Sequence, residues 1–227
     1  MSNPSTVVLL SGGLDSTTLL YYVKSIEDGP VAISFRYGQL HSKEVEAAAK
    51  TCAFLQVPHK IINLDIGALL KGSALTDPLV PVPQGHYEDS TMRQTVVPNR
   101  NMILLSIAAA WAISIKARKV AYAAHAGDHA IYPDCRPEFL DKVTEAVVVG
   151  NSWDLDNPIP LRVVAPFIKL TKTDILRLGV NLGVDYRLTW TCYKGEVHPC
   201  GRCGACNERA EAFEHLGMKD PLMEVSV

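Results

Sequence analysis

The chain has 227 residues, of which 48% are hydrophobic and 20% are charged, so it can bury a large apolar core without disulfides. This composition excludes an intrinsically disordered protein, and the length allows one large domain, with or without an appendage. The formal net charge of −2 argues against a long nucleic acid as partner, because proteins that bind one carry a concentrated basic surface. We therefore expect small-molecule substrates.

The chain shows no signal for export or membrane insertion. No basic run precedes an apolar one near its start. The longest apolar stretch, 102–115, is too short to span a bilayer and is typical of a buried helix. We expect no membrane partner and a cytoplasmic protein whose thiols are reduced.

Short apolar runs alternate with helical patterns along the chain. The runs predict five buried strands, at 7–10, 31–35, 60–64, 120–124 and 162–167. This rhythm predicts an α/β fold, a doubly wound parallel five-stranded sheet with helices on both faces. Ligands of such sheets bind at the carboxyl ends of the strands, so we expect the chemistry in the loops that follow them.

The first strand runs into a glycine-rich turn, SGGLDS at 11–16, and then into a helix. Two adjacent glycines let the backbone approach an anion, and N–H groups at the helix start can bind phosphate oxygens. The spacing is neither that of a P-loop nor that of the three-glycine dinucleotide motif. The alternative is an ordinary turn in which Asp15 or Ser16 is only the N-cap of the helix.

Asp15 favours the phosphate-binding interpretation. A carboxylate beside a phosphate site repels the ligand unless it holds a cation, and Mg²⁺ commonly binds one or two carboxylates together with substrate phosphates. The turn resembles the PP-loop of the ATP pyrophosphatase superfamily, whose members cut ATP between its α and β phosphates. The resemblance implies an adenine nucleotide alpha hydrolase-like fold, ATP as cosubstrate, and transfer of AMP to a substrate oxygen.

The connection at 66–98 is unusually long, contains several prolines and has no clear period. Connections of this length are usually lids or disordered linkers. Because an apolar helix follows it at once, we favour a lid that closes over the site.

Four cysteines near the end have the spacing C-x7-C-x2-C-x2-C: Cys192, Cys200, Cys203 and Cys206. Four thiolates can surround Zn²⁺ tetrahedrally, and such a closed shell has a structural role because no position is left for substrate. We expect one structural zinc ion per chain. An iron–sulfur cluster is the main alternative, disulfides are disfavoured in a reducing compartment, and His198 is expected to be a bystander.

The composition shifts after Tyr186, where cysteine and glycine become frequent. We therefore predict two units, a PP-loop ATP-binding α/β domain at 1–186 and a C-terminal zinc-binding segment, or knuckle, at 187–227.

Four further motifs lie where strand ends or helix starts are predicted: FRYGQLH at 35–41, VPNRN at 97–101, GDHAIYPDCR at 127–136 and KLTK at 169–172. With the SGGLDS turn and the cysteines, they resemble one family, the 7-cyano-7-deazaguanine synthases (QueC) of queuosine biosynthesis. The resemblance extends over about 7–221. The family more often has glycine where this chain has Asn99.

The resemblance implies a ligase that forms carbon–nitrogen bonds with cleavage of ATP. It would convert 7-carboxy-7-deazaguanine and ammonia into 7-cyano-7-deazaguanine. A carboxylate is a poor electrophile until one oxygen becomes a leaving group, which adenylation achieves. Ammonia then gives the amide, and a second adenylation, on the amide oxygen, leaves the nitrile.

The site residues expected from the motifs fall into three groups. For ATP binding we expect the first turn and helix: Leu10, Ser11, Gly12, Gly13, Leu14, Asp15, Ser16, Thr17, Thr18, Leu19 and Leu20. For catalysis we expect the magnesium carboxylate, a hydroxyl and three cations that neutralise phosphate charge: Asp15, Ser16, Arg100, Lys169 and Lys172. For the deazapurine we expect stacking and hydrogen-bonding side chains: Tyr37, Gln39, His41, Asp128, Tyr132, Asp134 and Arg136.

Within the last group, either Asp134 or Asp128 is expected to accept from the base, Arg136 to bind the carboxylate, and Tyr37 or Tyr132 to stack on the ring. Cys135 as an amidotransferase nucleophile is disfavoured because the chain has no second domain to make ammonia. The rival functions are a tRNA-modifying adenylase or thiolase of the same superfamily and a non-catalytic nucleotide-binding adaptor. We expect a homodimer, from the precedent of the family.

Overall fold

A central parallel sheet organises the computed structural model, which describes residues 4–26, 29–87, 90–151 and 161–223. Its five strands are β1 (Thr6–Leu9), β2 (Val31–Arg36), β3 (His59–Asn63), β4 (Lys119–Ala121) and β5 (Arg162–Val164). They lie in the order β3-β2-β1-β4-β5, and every neighbouring pair is parallel. The predicted doubly wound five-stranded sheet is therefore confirmed.

Helices cover both faces of this sheet. The described residues form α1 (Leu14–Ile26), α2 (Lys43–Leu55), α3 (Arg100–Ser114), α4 (Pro137–Gly150), α5 (Lys172–Asn181) and α6 (Gly204–His215). Successive side chains of a strand point to opposite faces, and β1 shows the consequence. Val7 packs in a core with Leu105 of α3, whereas Val8 packs in a second core with Leu19 of α1.

Two strands end three residues earlier than predicted, and β1 and β3 end one residue earlier. β5 stops at Val164 and not at 167, since Pro166 has no N–H to donate to a ladder. β4 ends at Ala121 and not at 124, although the N–H of Tyr122 still donates to the carbonyl of Val164 at 3.1 Å.

The long apolar stretch forms α3, as predicted. The helix begins at Arg100 because Asn99 has a left-handed backbone, with φ of +57°. Glycine and asparagine adopt this conformation most easily, so asparagine fits this position. None of the described helices combines the length and the apolar character that crossing a lipid bilayer requires.

The connection between β3 and α3 packs onto the C-terminal segment. It contains 3₁₀ turns at Gly67–Leu69 and Ser90–Thr95. Gln84 forms an antiparallel bridge with Cys203, and the carbonyl of Gly85 accepts from the Asn207 side chain at 2.6 Å. These contacts show that the described part of the connection is not a free linker, and a lid that closes over the site stays a prediction.

The C-terminal segment is fastened to the phosphate turn and to itself. The N–H of Trp190 donates to the carbonyl of Gly12 at 2.9 Å. Arg209 of α6 is 2% exposed and forms a two-point ion pair with Asp220, while its other N–H groups donate to the Thr189 hydroxyl and the Tyr186 carbonyl. A buried arginine with all these partners fixes the position of α6.

Candidate active site and metal centre

A cavity of about 250 Å³ opens at the carboxyl ends of the strands. Apolar side chains that include Leu9, Ile33 and Phe35 form its floor, and its upper walls are polar or aromatic. Its place agrees with the rule that open α/β sheets bind ligands beyond the carboxyl ends of their strands.

The glycine-rich turn is held in shape by Ser16. The Ser16 hydroxyl oxygen accepts from the N–H groups of Ser11 and Gly12, each at 3.2 Å, and lies 2.9 Å from the Ser11 hydroxyl. The two N–H groups therefore converge on one point, as anion binding requires. Because α1 begins at Leu14, Asp15 and Ser16 lie inside the helix, and the N-cap interpretation is wrong.

Lys172 provides a cation beside this turn. Its ammonium nitrogen lies 2.6 Å from a carboxylate oxygen of Asp15 and 3.0 Å from one of Glu208. Burial lowers the pKa of Lys172, but the negative charges of Asp15 and Glu208 outweigh it and raise the pKa. Burial raises the pKa of Asp15, but Lys172 and then His125 outweigh it and lower the pKa. Both partners are therefore charged at neutral pH.

His125 lies among the same carboxylates and is 1% exposed. Its Nδ1 accepts from the N–H of Gly127 at 3.1 Å, so the neutral ring carries its proton on Nε2. That Nε2 lies 3.8 Å from Asp15, 3.6 Å from Asp128 and 3.9 Å from Glu208. We call Asp15, Asp128 and Glu208, together with Lys172 and His125, the carboxylate cluster.

Asp15 is suited to bind the expected magnesium ion. Its Oδ2 is used by Lys172, but its Oδ1 is buried and has no hydrogen-bond partner among the described residues. A buried carboxylate oxygen beside a phosphate-binding turn is a suitable ligand for Mg²⁺, which takes its other ligands from phosphates and water.

Five tyrosines line the cavity: Tyr37, Tyr87, Tyr122, Tyr132 and Tyr193. The ring centroids of Tyr87 and Tyr132 are 6.1 Å apart. The Tyr87 hydroxyl donates to Asp128 at 3.0 Å, which links these rings to the carboxylate cluster. Walls of this kind suit a flat heteroaromatic ligand.

Arg100 and Glu44 lie at the second charged part of the cavity. Arg100, the first residue of α3, hydrogen-bonds Tyr37. Burial raises the pKa of Glu44 to about 7, and the positive charge of Arg100 opposes this rise. The two side chains influence each other without forming an ion pair in the described part of the chain.

The four predicted metal ligands come together. The sulfur atoms of Cys192, Cys200, Cys203 and Cys206 all lie within 4.8 Å of one another. Four thiolates around Zn²⁺ are about 3.8 Å apart, given Zn–S bonds of about 2.3 Å and tetrahedral angles. The N–H of Cys200 donates to the Cys192 sulfur at 3.3 Å and that of Cys203 to the Cys200 sulfur at 3.4 Å. This donor set fits a closed structural site, and the sulfur cluster does not include His198.

Most predicted site residues line the cavity. From the ATP-binding and catalytic groups these are Leu10, Ser11, Gly13, Leu14, Asp15, Ser16, Arg100 and Lys172, and from the substrate group Tyr37, Gln39, Asp128 and Tyr132. Gln39 has a further role, because its amide accepts from the Tyr37 N–H and donates to the Phe35 carbonyl. It thereby fixes the end of β2.

The rest of the predicted ATP-binding residues are not brought to the cavity wall. Gly12 has φ of +96° and packs against the backbone of α2, Thr18 hydrogen-bonds Tyr186, and Leu19 and Leu20 are buried in the core. Thr17 is also buried, with a hydroxyl that has no partner among the described residues. Helix α1 turns these side chains away from the turn because only its first residues face the site.

Four more predicted residues also lie outside the cavity lining. Lys169 is exposed, three residues before Lys172, whose side chain is 11% exposed. Asp134 accepts from the N–H of Asn101 at 3.0 Å and so stabilises the start of α3. Arg136 is exposed and donates to the His129 carbonyl, and the ring of His41 packs against Gly195.

Sequence reasoning missed several polar or aromatic residues of the cavity lining, among them Glu44, Tyr87, Tyr193 and Glu208. It also missed His125 of the carboxylate cluster. Glu208 lies two residues after the last cysteine, and Glu44 lies three residues after the YGQLH motif. Closeness to a motif is therefore the signal in the sequence that could have identified these two residues. Cys135 lines the cavity too, but burial and then the charge of Asp128 raise its pKa, which does not suit a nucleophile.

Comparison with known proteins identifies one family. Residues 5–217 match the family described as "Queuosine biosynthesis protein QueC". The 7-cyano-7-deazaguanine synthase of Caldicellulosiruptor bescii is 57% identical over 216 residues, which cover 95% of each chain. A relative with the same name from Methanoregula boonei is 52% identical over 95% of this chain and 97% of its own.

Solved structures share the fold at low sequence identity. A 4-thiouridine synthetase, solved as an RNA complex with bound ATP, has a TM-score of 0.53 and 17% identity, over 98% of this chain and 52% of its own. An NMN synthetase from Francisella tularensis has a TM-score of 0.52 and 14% identity, over 96% and 79%. These neighbours confirm the adenine nucleotide alpha hydrolase-like fold and nothing beyond it.

Lys172 and Lys169 are predicted to differ in their effect on nucleotide binding. Lys172→Met removes the buried cation beside the phosphate turn, so ATP–Mg²⁺ should bind at least about tenfold more weakly. Lys169→Met removes an exposed charge, and the dissociation constant should change less than about twofold. Isothermal titration calorimetry measures both, and thermal melts check folding. Equal weakening by the two substitutions would contradict this placement of the site.

Metal content is predicted to depend on the four-cysteine cluster. Protein purified in air should hold one zinc ion per chain, and Cys203→Ser should lose most of it because three thiolates bind Zn²⁺ more weakly. Cys52→Ser, a buried thiol outside the cluster, should keep the metal. Elemental analysis gives the stoichiometry. A brown, iron-containing sample would instead support an iron–sulfur cluster.

Proposed function

Because the chain belongs to the QueC family of queuosine biosynthesis proteins, we propose that it makes 7-cyano-7-deazaguanine from 7-carboxy-7-deazaguanine, ammonia and ATP. The observation that supports this most directly is the buried ammonium of Lys172 between the phosphate turn and the carboxylate cluster. A cation at this place can stabilise the negative charge that develops when pyrophosphate leaves.

In the first step an oxygen of the substrate carboxylate attacks the α phosphorus of ATP. The bond between the α phosphorus and the bridging oxygen breaks, and pyrophosphate leaves with the electron pair. The residues of the turn that line the cavity, Ser11, Gly13 and Ser16, and the ammonium of Lys172 orient the phosphates for this in-line displacement. The product is an acyl adenylate, whose carbonyl carbon is a far better electrophile than that of a carboxylate.

In the second step ammonia attacks this carbonyl carbon. AMP leaves with the carboxylate oxygen, a proton is lost from nitrogen, and the primary amide remains. Adenylation of the amide oxygen by a second ATP releases pyrophosphate and one proton from nitrogen, and loss of AMP and the second proton then gives the nitrile. The same groups serve both rounds because the attacked atom is the α phosphorus each time.

Two metal ions would assist the reaction without supplying the nucleophile. Magnesium, held by the unpartnered oxygen of Asp15, would offset phosphate charge when ATP is bound. Zinc, held by Cys192, Cys200, Cys203 and Cys206, would fix the knuckle from which α6 begins. Glu208 then reaches Lys172 because it lies on the first turns of this helix.

The tyrosines bind the deazapurine ring in this proposal. Tyr132 and Tyr87 pack against each other and offer aromatic surface at the cavity wall, and Tyr37 lies beside Arg100. Aromatic walls exclude water from the acyl adenylate, which protects it from hydrolysis before ammonia arrives.

Three further predictions belong to this proposal. The division into units at 1–186 and 187–227, a homodimer and a cytoplasmic location are expected from the sequence. The contacts of Trp190 with Gly12 and of Glu208 with Lys172 mean that both units contribute to one site.

Asp15→Asn is predicted to abolish turnover while leaving the fold intact. The amide is isosteric but binds neither Lys172 nor a divalent cation with the strength of a carboxylate, so kcat should fall at least about hundredfold. Asp141→Asn, on the exposed side of α4, is the matched control and should keep full activity. The assay mixes protein, ATP, ammonium and 7-carboxy-7-deazaguanine, and chromatography identifies the nucleotides.

The expected products of the unsubstituted protein are AMP and pyrophosphate in equal amounts. ADP and phosphate would contradict adenylation. Absence of any ATP turnover, with intact metal content, would favour the adaptor. Turnover that requires tRNA would favour the tRNA-modifying alternative.

A further inference from the structure

The cavity wall carries four carboxylates in the described part of the chain, and one of them is set apart. Asp15, Asp128 and Glu208 belong to the carboxylate cluster, where Lys172, His125 or Tyr87 contacts each of them. Glu44 is the fourth. Among the residues with known positions, it forms neither a hydrogen bond nor an ion pair through its carboxylate.

The position of Glu44 is firmly fixed although its carboxylate is unpaired. It lies in the first turn of α2, and a methyl group added at Gly12 would come within 1.9 Å of its carbonyl oxygen. The charged residues near it on α2 make other contacts. Lys43 lies 4.2 Å from the centroid of the Trp190 ring, and Glu46 accepts from Ser42 at the surface.

An unpaired carboxylate in such a place is costly unless a ligand supplies donors. Its surroundings include apolar Val45 and Leu104 of the cavity wall, and the nearby charge of Arg100 does not reach it as an ion pair. Desolvation of a charged group without hydrogen bonds is unfavourable, so an occupied cavity must offer N–H or O–H groups to Glu44.

The chemistry of the two substrates narrows the choice of donor. The triphosphate of ATP is negative and repels a carboxylate. The Watson–Crick edge of adenine presents one amino donor next to a ring-nitrogen acceptor, which suits only one carboxylate oxygen. The corresponding edge of a deazaguanine presents a ring N–H and an exocyclic amine side by side, which suits both oxygens.

We propose that Glu44 is the specificity-determining residue for the deazaguanine, accepting a paired hydrogen bond from its ring N–H and exocyclic amine. This inference rests on the proposed function. Asp128 and Asp134 are less suited to the role, because Asp128 accepts from Tyr87 and from the His125 N–H while Asp134 stabilises the start of α3.

The assignment is tested with a substrate that lacks one donor. The analogue is 7-carboxy-7-deazahypoxanthine, which keeps the ring N–H but has no exocyclic amine. Pyrophosphate release gives kcat/KM for each compound with the unsubstituted protein, with Glu44→Gln, and with Glu46→Gln as the matched control two residues along the same helix. KM for ATP and a thermal melt are measured for every variant.

The unsubstituted protein and Glu46→Gln should use the analogue about ten- to a hundredfold less efficiently than 7-carboxy-7-deazaguanine, since a hydrogen bond to a charged group is lost. Glu44→Gln should lose about the same factor on the natural substrate. Its discrimination between the two compounds should shrink to less than about threefold, and its KM for ATP should stay unchanged.

Three results would overturn the inference. Equal use of both compounds by the unsubstituted protein does so without any variant. Full discrimination retained by Glu44→Gln does so as well. A rise in KM for ATP with discrimination intact assigns Glu44 to the nucleotide ribose instead. No turnover of either compound by the unsubstituted protein would remove the proposed function itself, which distinguishes the two failures.

Discussion

The buried ammonium of Lys172 is the interaction on which the site depends. It lies between a carboxylate from the first turn of α1 and one from α6, so three helices must meet before its charge is satisfied. A buried cation with one partner missing costs several kcal/mol, whereas with both partners it remains charged. Because both carboxylates must lie beside Lys172, this interaction also aligns the phosphate turn with the C-terminal segment.

The four-cysteine cluster acts on the site through the same contact. Helix α6 begins directly after Cys203, and Glu208 lies on its second turn, so the place of the knuckle decides where that carboxylate points. The N–H of Trp190 donates to the carbonyl of Gly12, and this hydrogen bond is a second link from the knuckle region to the phosphate turn. A metal with no open position for substrate can in this way support catalysis by holding Glu208 and the turn in register.

The sequence was sufficient where a feature is local. Apolar period and length predicted the sheet and α3, glycines and spacing predicted the phosphate turn, and four closely spaced cysteines predicted their cluster. It was insufficient where partners are distant in the chain. Lys169 and Lys172 cannot be distinguished in the sequence. In the structure Lys172 is the first residue of α5 and contacts Asp15 and Glu208, whereas Lys169 precedes the helix and is exposed. Glu208 and Glu44 belong to no local pattern, and Asp134, predicted as a ligand for the base, instead accepts from the N–H of Asn101 at the start of α3.

The central claim is that an oxygen of the substrate carboxylate attacks the α phosphorus of ATP, and an isotope experiment tests it most directly. The carboxylate of 7-carboxy-7-deazaguanine is labelled with ¹⁸O at both oxygens, and the products are analysed by mass spectrometry. The account predicts one ¹⁸O atom in the phosphoryl group of each AMP and none in pyrophosphate. Unlabelled AMP, or label in pyrophosphate or inorganic phosphate, would contradict it.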